Sequence, residues 1–103
     1  MTMSGADKAA LLSEATGHHQ VGRLDLAKSL YEQILGADPD NVDALGMYGL
    51  LAHQSGRNDI ATDVLSRAAQ LNPRSPDIHL NLGNVLRAAG RTEEAIAHTQ
   101  QAI

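Results

Sequence analysis

Five histidines, His18, His19, His53, His79 and His98, are the residues of this 103-residue chain with the widest chemical repertoire. Imidazole binds metals, moves protons near neutral pH and hydrogen-bonds through either nitrogen, so spacing must decide among these roles. A metal site on a helix needs ligands about one turn apart, as in HxxxH or HExxH, and neither spelling occurs. His18 and His19 are adjacent and would project about 100° apart on a helix, which prevents easy sharing of one ion. No metal site and no cofactor is expected. Covalent chemistry finds no better support. The absence of cysteine removes thiolate nucleophiles, zinc thiolates and disulfides together. No glycine-rich phosphate loop follows a strand pattern, and no nucleophile stands at useful spacing from a histidine. Glu93-Glu94 reads as the charged first turn of a helix, where it favours the dipole. The chain is expected to be no enzyme by itself.

The histidines do carry an echo: His19-Gln20 and His53-Gln54 stand 34 residues apart. The same step relates Gly22, Gly56 and Gly90, each followed by arginine (Arg23, Arg57, Arg91). Ala27, Ala61 and Ala95 keep it, as do Pro39 and Pro73. A fixed period of this kind signals a stacked array of one structural unit.

Each period reads as two helices. Apolar residues in LLAHQSG and IATDVLSRAAQL recur at three- and four-residue steps. Gly22, Gly56 and Gly90 fall where a first helix ends in a left-handed turn. Asn58 and Thr92 are expected to cap the second helices, with Asp25 taking that place in the first unit. Pro39 and Pro73 stop the second helices, and Ser75-Pro76 starts the next helix, with serine as cap. Ala15, Gly49 and Gly83, midway along first helices, face Ala27, Ala61 and Ala95 and let the axes approach closely. A helical glycine costs about 1 kcal/mol against alanine, so its presence needs such a reason.

The 34-residue unit, with its Gly-Arg, small residues and Pro, resembles the tetratricopeptide repeat (TPR). That resemblance implies an all-α, right-handed solenoid of three helical hairpins over 8–41, 42–75 and 76–103. Residues 1–7 form a lead-in, with Ser4 or Asp7 capping the first helix. The chain departs from the family where an aromatic is usual: Leu11, Leu45 and His79 hold the first-helix place, and Tyr31 alone keeps the second. The pentatricopeptide type, which reads single-stranded RNA, has a period usually one residue longer and a basic groove, and neither is present.

In the family, first helices line a concave surface that receives partner peptides. Carried onto this chain, the groove comprises Leu12, Ser13, Thr16, His19 and Gln20 from the first unit. The second supplies Asp43, Gly46, Met47, Leu50, His53 and Gln54, and the third Asp77, Leu80, Asn81, Asn84 and Arg87. The expected site has an apolar floor of Leu12, Met47, Leu50 and Leu80, rimmed by amides and imidazoles, and the expected partner is a protein or peptide. Some of these apolar residues could instead pack between helices, with the His-Gln echo a relic of duplication. The Lys/Asn/Arg clamp by which some members grip acidic chaperone tails is missing. Its places hold Leu12, Thr16, Met47, Asp77 and Asn81, and Asp77 would repel a carboxylate. HLNLGNVLRAAGRTEEAIAHTQQAI also resembles the arrays preceding O-linked N-acetylglucosamine transferase domains, whose asparagine ladder Asn81 and Asn84 could begin. The residues from His18 to Arg57 similarly resemble arrays that lead into bacterial transferases. The competing expectation is therefore substrate selection for a transferase domain outside this chain.

The bulk numbers fit a folded interaction module. Hydrophobic residues make up 43%, charged ones 19% and aromatic ones 2%, so Leu, Ala, Ile and Val must build the core. A net charge of −4 argues against a nucleic-acid partner. No signal-peptide pattern and no run of about 20 apolar residues is present, so no membrane span and a cytoplasmic location are expected. The third unit stops short of a following helix, leaving Ile96, Thr99, Ala102 and Ile103 uncovered. A piece of a longer array is the favoured explanation, and self-association through that face the alternative.

Overall fold

The computed structural model describes residues 3–102, apart from the side chains of Thr92, Thr99 and Ala102. Among the described residues six helices follow one another: α1 (Gly5–Gln20), α2 (Leu24–Ala37), α3 (Val42–Gln54), α4 (Asn58–Leu71), α5 (Pro76–Ala88) and α6 (Thr92–Ala102). No strand occurs among the described residues. Each odd helix packs on the even helix after it, and α2 and α4 pack on the next hairpin's first helix. Hairpins therefore pile up in chain order, which makes the molecule an α-solenoid 42 Å long and 26 × 20 Å across. The stack also has an inside. α3 touches both α1 and α5, whereas α2 and α4 do not touch each other, nor do α4 and α6, among the described residues. The odd helices thus line the inner face, in agreement with the expected layout.

The repeated glycines do what their spacing implies. Gly22, Gly56 and Gly90 have φ of 82°, 79° and 80°, where a side chain would be strained. Each ends its helix in a Schellman motif. In the first, the Arg23 amide donates to the His18 carbonyl at 2.9 Å and the Gly22 amide to the His19 carbonyl at 3.2 Å. The other two repeat that pattern, with the Arg57 and Arg91 amides donating to Ala52 and Leu86.

The caps depart from expectation in the second helices. Because the turn consists of little more than Gly-Arg, Arg23 and Arg57 occupy the N-cap positions of α2 and α4, and neither supplies a side-chain cap. Asp25 and Asn58 therefore lie already inside their helices. The Thr92 cap falls on a side chain outside the described residues. In the first turn of α4, the Ile60 amide and the Arg57 guanidinium hold the Asp59 carboxyl below its usual range. First helices are capped as side chains allow: Asn41 accepts from the Ala44 amide at 3.0 Å and Ser75 from that of Ile78 at 3.4 Å. Ser4 and Asp7 form a capping box at the start of α1. Helix α1 accordingly begins at Gly5, within the segment expected to be a lead-in.

The core falls into two parts. Ala15, Ala27, Tyr31 and Leu51 cluster in the first hairpin and its border. Leu45, Ala61, Leu65, Leu82, Val85 and Leu86, with several alanines, fill the rest. The close approach expected at Gly49 is real: a Cβ there would lie 2.5 Å from Leu65 Cγ and 2.8 Å from its Cδ2. In the third hairpin, His79 takes the aromatic place and is buried. Its Nε2–H donates to the Pro73 carbonyl at 2.6 Å, leaving Nδ1 to meet His98 Nδ1 at 3.0 Å. The carbonyl has no proton to give, so this tautomer follows from the partner. A buried histidine is tolerated here because both nitrogens are engaged.

Candidate functional site

On the inner face a cavity of about 330 Å³ opens between α1, α3 and α5. Its existence traces to one missing side chain. The 34-residue period puts Leu12, Gly46 and Leu80 at one register, so Gly46 leaves a gap where its counterparts carry leucine. A Cβ on Gly46 would meet only Ile78 Cγ1, at 4.0 Å, so the space is open rather than packed. Leu12, Val42, Met47 and Ile78 give apolar walls, and Thr16, Asp43, Asn72, Ser75, Asp77 and Asn81 give polar ones.

Of the residues assigned from sequence, Leu12, Thr16, Asp43, Gly46, Met47, Asp77 and Asn81 meet in this cavity. Ser13 and Gln20 instead border a second, more open depression along α1, shared with Leu12 and Thr16. Leu50 and His53 are half-buried outside the cavity, and Leu80 is 45% exposed, so it forms no part of the cavity floor. Asn84 and Arg87 are exposed and bonded to each other.

The histidine–glutamine echo has a structural use. His19 Nε2 lies 2.6 Å from Gln54 Oε1 and Nδ1 lies 3.1 Å from the Tyr31 hydroxyl. With the Gln54 oxygen as acceptor, Nε2 carries the proton and Nδ1 receives the tyrosine O–H. The rings of His19 and Tyr31 meet edge to face at 6.0 Å. Burial pushes the Tyr31 phenol up from its usual value, against the opposing effect of the Thr16 hydroxyl, so it remains a donor. His19 and Gln54 therefore tie the first hairpin to the second. His53, one period on, bonds within its own hairpin, Nδ1 to Asn58 Oδ1 at 2.9 Å.

Four lining residues escaped the sequence mapping: Val42, Asn72, Ser75 and Ile78. Asn72 and Ser75 belong to the turn between α4 and α5, and Val42 opens α3, so a map of first-helix inner faces misses them. The signal was the NPRS turn, whose Asn72 and Ser75 reach the cavity, and the DPDN turn that Val42 follows. No group of three or more metal-ligating side chains occurs among the described residues. No helix is long and apolar enough to cross a membrane there either.

Hairpins stacked in chain order around an inner cavity define a helical-repeat module. The chain belongs to the tetratricopeptide repeat family: two family models for this repeat match it, over residues 12–76 and 52–103. Human tetratricopeptide repeat protein 7B is 34% identical over 74 residues, covering 72% of this chain and 9% of that protein. The chain thus spans about a tenth of the curated relatives it matches. Among solved structures, a Thermobaculum terrenum O-GlcNAc transferase mutant aligns with a TM-score of 0.94 at 35% identity, covering 99% of this chain and 20% of that one. The second TPR of Spaghetti (RPAP3), bound to HSP90 peptide SRMEEVD, shares the fold at 15% identity, with a TM-score of 0.87 and coverage of 92% and 88%.

Proposed function

We propose that this chain is a protein-interaction scaffold that receives a peptide segment of a partner in the cavity around Gly46. One observation carries the reading. The inner wall lacks a side chain at the register where the flanking hairpins carry leucine, and the gap is bordered by Leu12, Met47 and Ile78 beside free amides. Such a recess accepts an apolar anchor, while Asn72 and Asn81 can satisfy peptide backbone groups. The fold it shares with a peptide-bound TPR supports the mode of use. The acidic character of that peptide is not carried over, because Asp43 and Asp77 face the same space.

Panning a phage-displayed random peptide library against the chain tests this. Enriched peptides that lose binding to Gly46→Leu support the proposal, since leucine there fills the gap without a backbone clash. Enriched peptides indifferent to Gly46→Leu, or no enrichment at all, would overturn it. The cytoplasmic location expected from sequence belongs with this proposal and is checked by cell fractionation.

A second reading is favoured by the transferase alignment, with its 35% identity across nearly the whole chain. In it, this array selects substrates for a transferase domain carried by a longer protein. Sequencing the reading frame beyond Ile103 decides: continuation into a transferase domain supports it, and an immediate stop codon rejects it.

A further inference from the structure

We infer that the inner cavity selects cationic peptides, specifically segments in which Lys or Arg flanks an apolar anchor. The inference rests on the peptide-groove reading and names the partner's chemistry. Asp43 and Asp77 stand one period apart, in the first turns of α3 and α5, and both line the cavity. Both are exposed, and neither has an ion pair or side-chain hydrogen bond among the described residues. Several carboxylates elsewhere meet cations, Lys8 with Asp38 at 3.2 Å, Arg91 with Glu94 at 2.7 Å, and Arg67 with Asp40, while Asp25, Glu32 and Asp63, unpaired among the described residues, lie outside the cavity. No Lys, Arg or His lines the cavity. Its field is therefore negative on an apolar bed, within a chain of net charge −4.

Charge complementarity then chooses the occupant. A peptide carboxylate brought beside two unpaired aspartates is repelled, and a concave wall concentrates that field. A Lys or Arg is attracted, and its aliphatic stem can lie along Met47 or Val42 while its charged head stays wet. A second copy of this chain is a poor occupant, because it carries the same net negative charge. The aspartates do not determine whether a peptide binds, only which one. The anchor cavity supplies the remainder.

The peptides recovered by panning also serve as probes here, with wild-type chain set beside the Asp43→Asn/Asp77→Asn variant. Both positions are exposed, so the variant keeps the fold, which circular dichroism checks. On wild type, winning peptides should be enriched in Lys and Arg next to Leu-, Ile- or Met-type residues. Fluorescence anisotropy should then show binding roughly tenfold weaker in the double variant, as expected for two exposed ion pairs. It should also weaken as salt rises past the range where such pairs are screened. Winners without basic enrichment that still fail on Gly46→Leu would refute the charge selection while leaving the groove standing. Basic winners with equal affinity for the double variant would refute the role of these aspartates. If nothing is enriched, both the groove and its selectivity fall.

Discussion

Two glycines of α3, Gly46 and Gly49, should respond in opposite directions to the same substitution. Replacing a helical glycine by alanine gains roughly 1 kcal/mol, because the unfolded chain loses freedom it would otherwise regain. At Gly46 little opposes that gain: the new Cβ meets Ile78 Cγ1 at 4.0 Å, an ordinary contact. Gly46→Ala should therefore stabilise by about 1 kcal/mol. At Gly49 the Cβ would lie 2.5 Å from Leu65 Cγ, 2.8 Å from Cδ2 and 3.1 Å from Val64 Cγ2. Carbon pairs prefer about 3.5–4.0 Å, and Leu65 is fully buried, so its branch point cannot swing aside. Helix α4 must retreat, at an overpacking cost of about 1–3 kcal/mol. Since both positions share a helix and a propensity gain, the difference between the variants isolates the clash. Urea unfolding followed by circular dichroism, with unchanged m-values, measures it. If Gly49→Ala stabilises as much as Gly46→Ala, the two helices are not in close approach there and the packing argument is wrong.

Other outcomes follow from the caps, the turns and the buried histidines. Asn41→Ala should cost about 1 kcal/mol in thermal or urea unfolding, because the Ala44 amide loses its acceptor. Gly56→Ala should cost about 1 kcal/mol although its Cβ would meet nothing within 4 Å, the penalty being purely conformational at φ 79°. Burial, then the neighbouring His79, depress His98 below its usual pKa of 6.5, with Glu94 opposing. The unfolded chain thus binds that proton first on acidification. The contribution is complete above pH 6.5 and drains away as pH falls through that value towards the folded pKa. Melting temperature should drop between about pH 7.5 and about pH 5.5 by more in the wild type than in His98→Gln.

How much of this was written in the sequence depends on what a period can encode. Backbone requirements repeat faithfully, so Gly22, Gly56 and Gly90, and the prolines after α2 and α4, declared the hairpins without ambiguity. Caps were less legible. Asn58 looks like an N-cap, but the turn before it is so short that Arg57 occupies the cap position, and Asn58 turns to His53 instead. Asn41, at the register of Ser75, carries the same capping signal and does cap its helix. The site was legible where it depends on register alone. Leu12, Asp43, Met47, Asp77 and Asn81 converge because stacking carries one face of each first helix to the same wall. It was illegible where one side chain chooses among neighbours. His19 and His53 hold equivalent places, yet one crosses to Gln54 in the next hairpin and the other stays home. That choice depends on reach, which spacing along the chain does not report. Leu12, Gly46 and Leu80 make the same point: one register holds a wall, a void and an exposed leucine.

The separation of the outer helices has a mechanical corollary. With α2, α4 and α6 out of contact with one another among the described residues, flexing the stack would widen or narrow the crevices on its back, with the seams between each even helix and the next odd one as hinges. Changes of curvature are resisted chiefly where α2 packs on α3 and α4 on α5 and where His19 grips Gln54, and only lightly where α3 meets α1 and α5. A guest seated across those three helices would act as a splint, fixing the arc of the whole array from a contact in its middle.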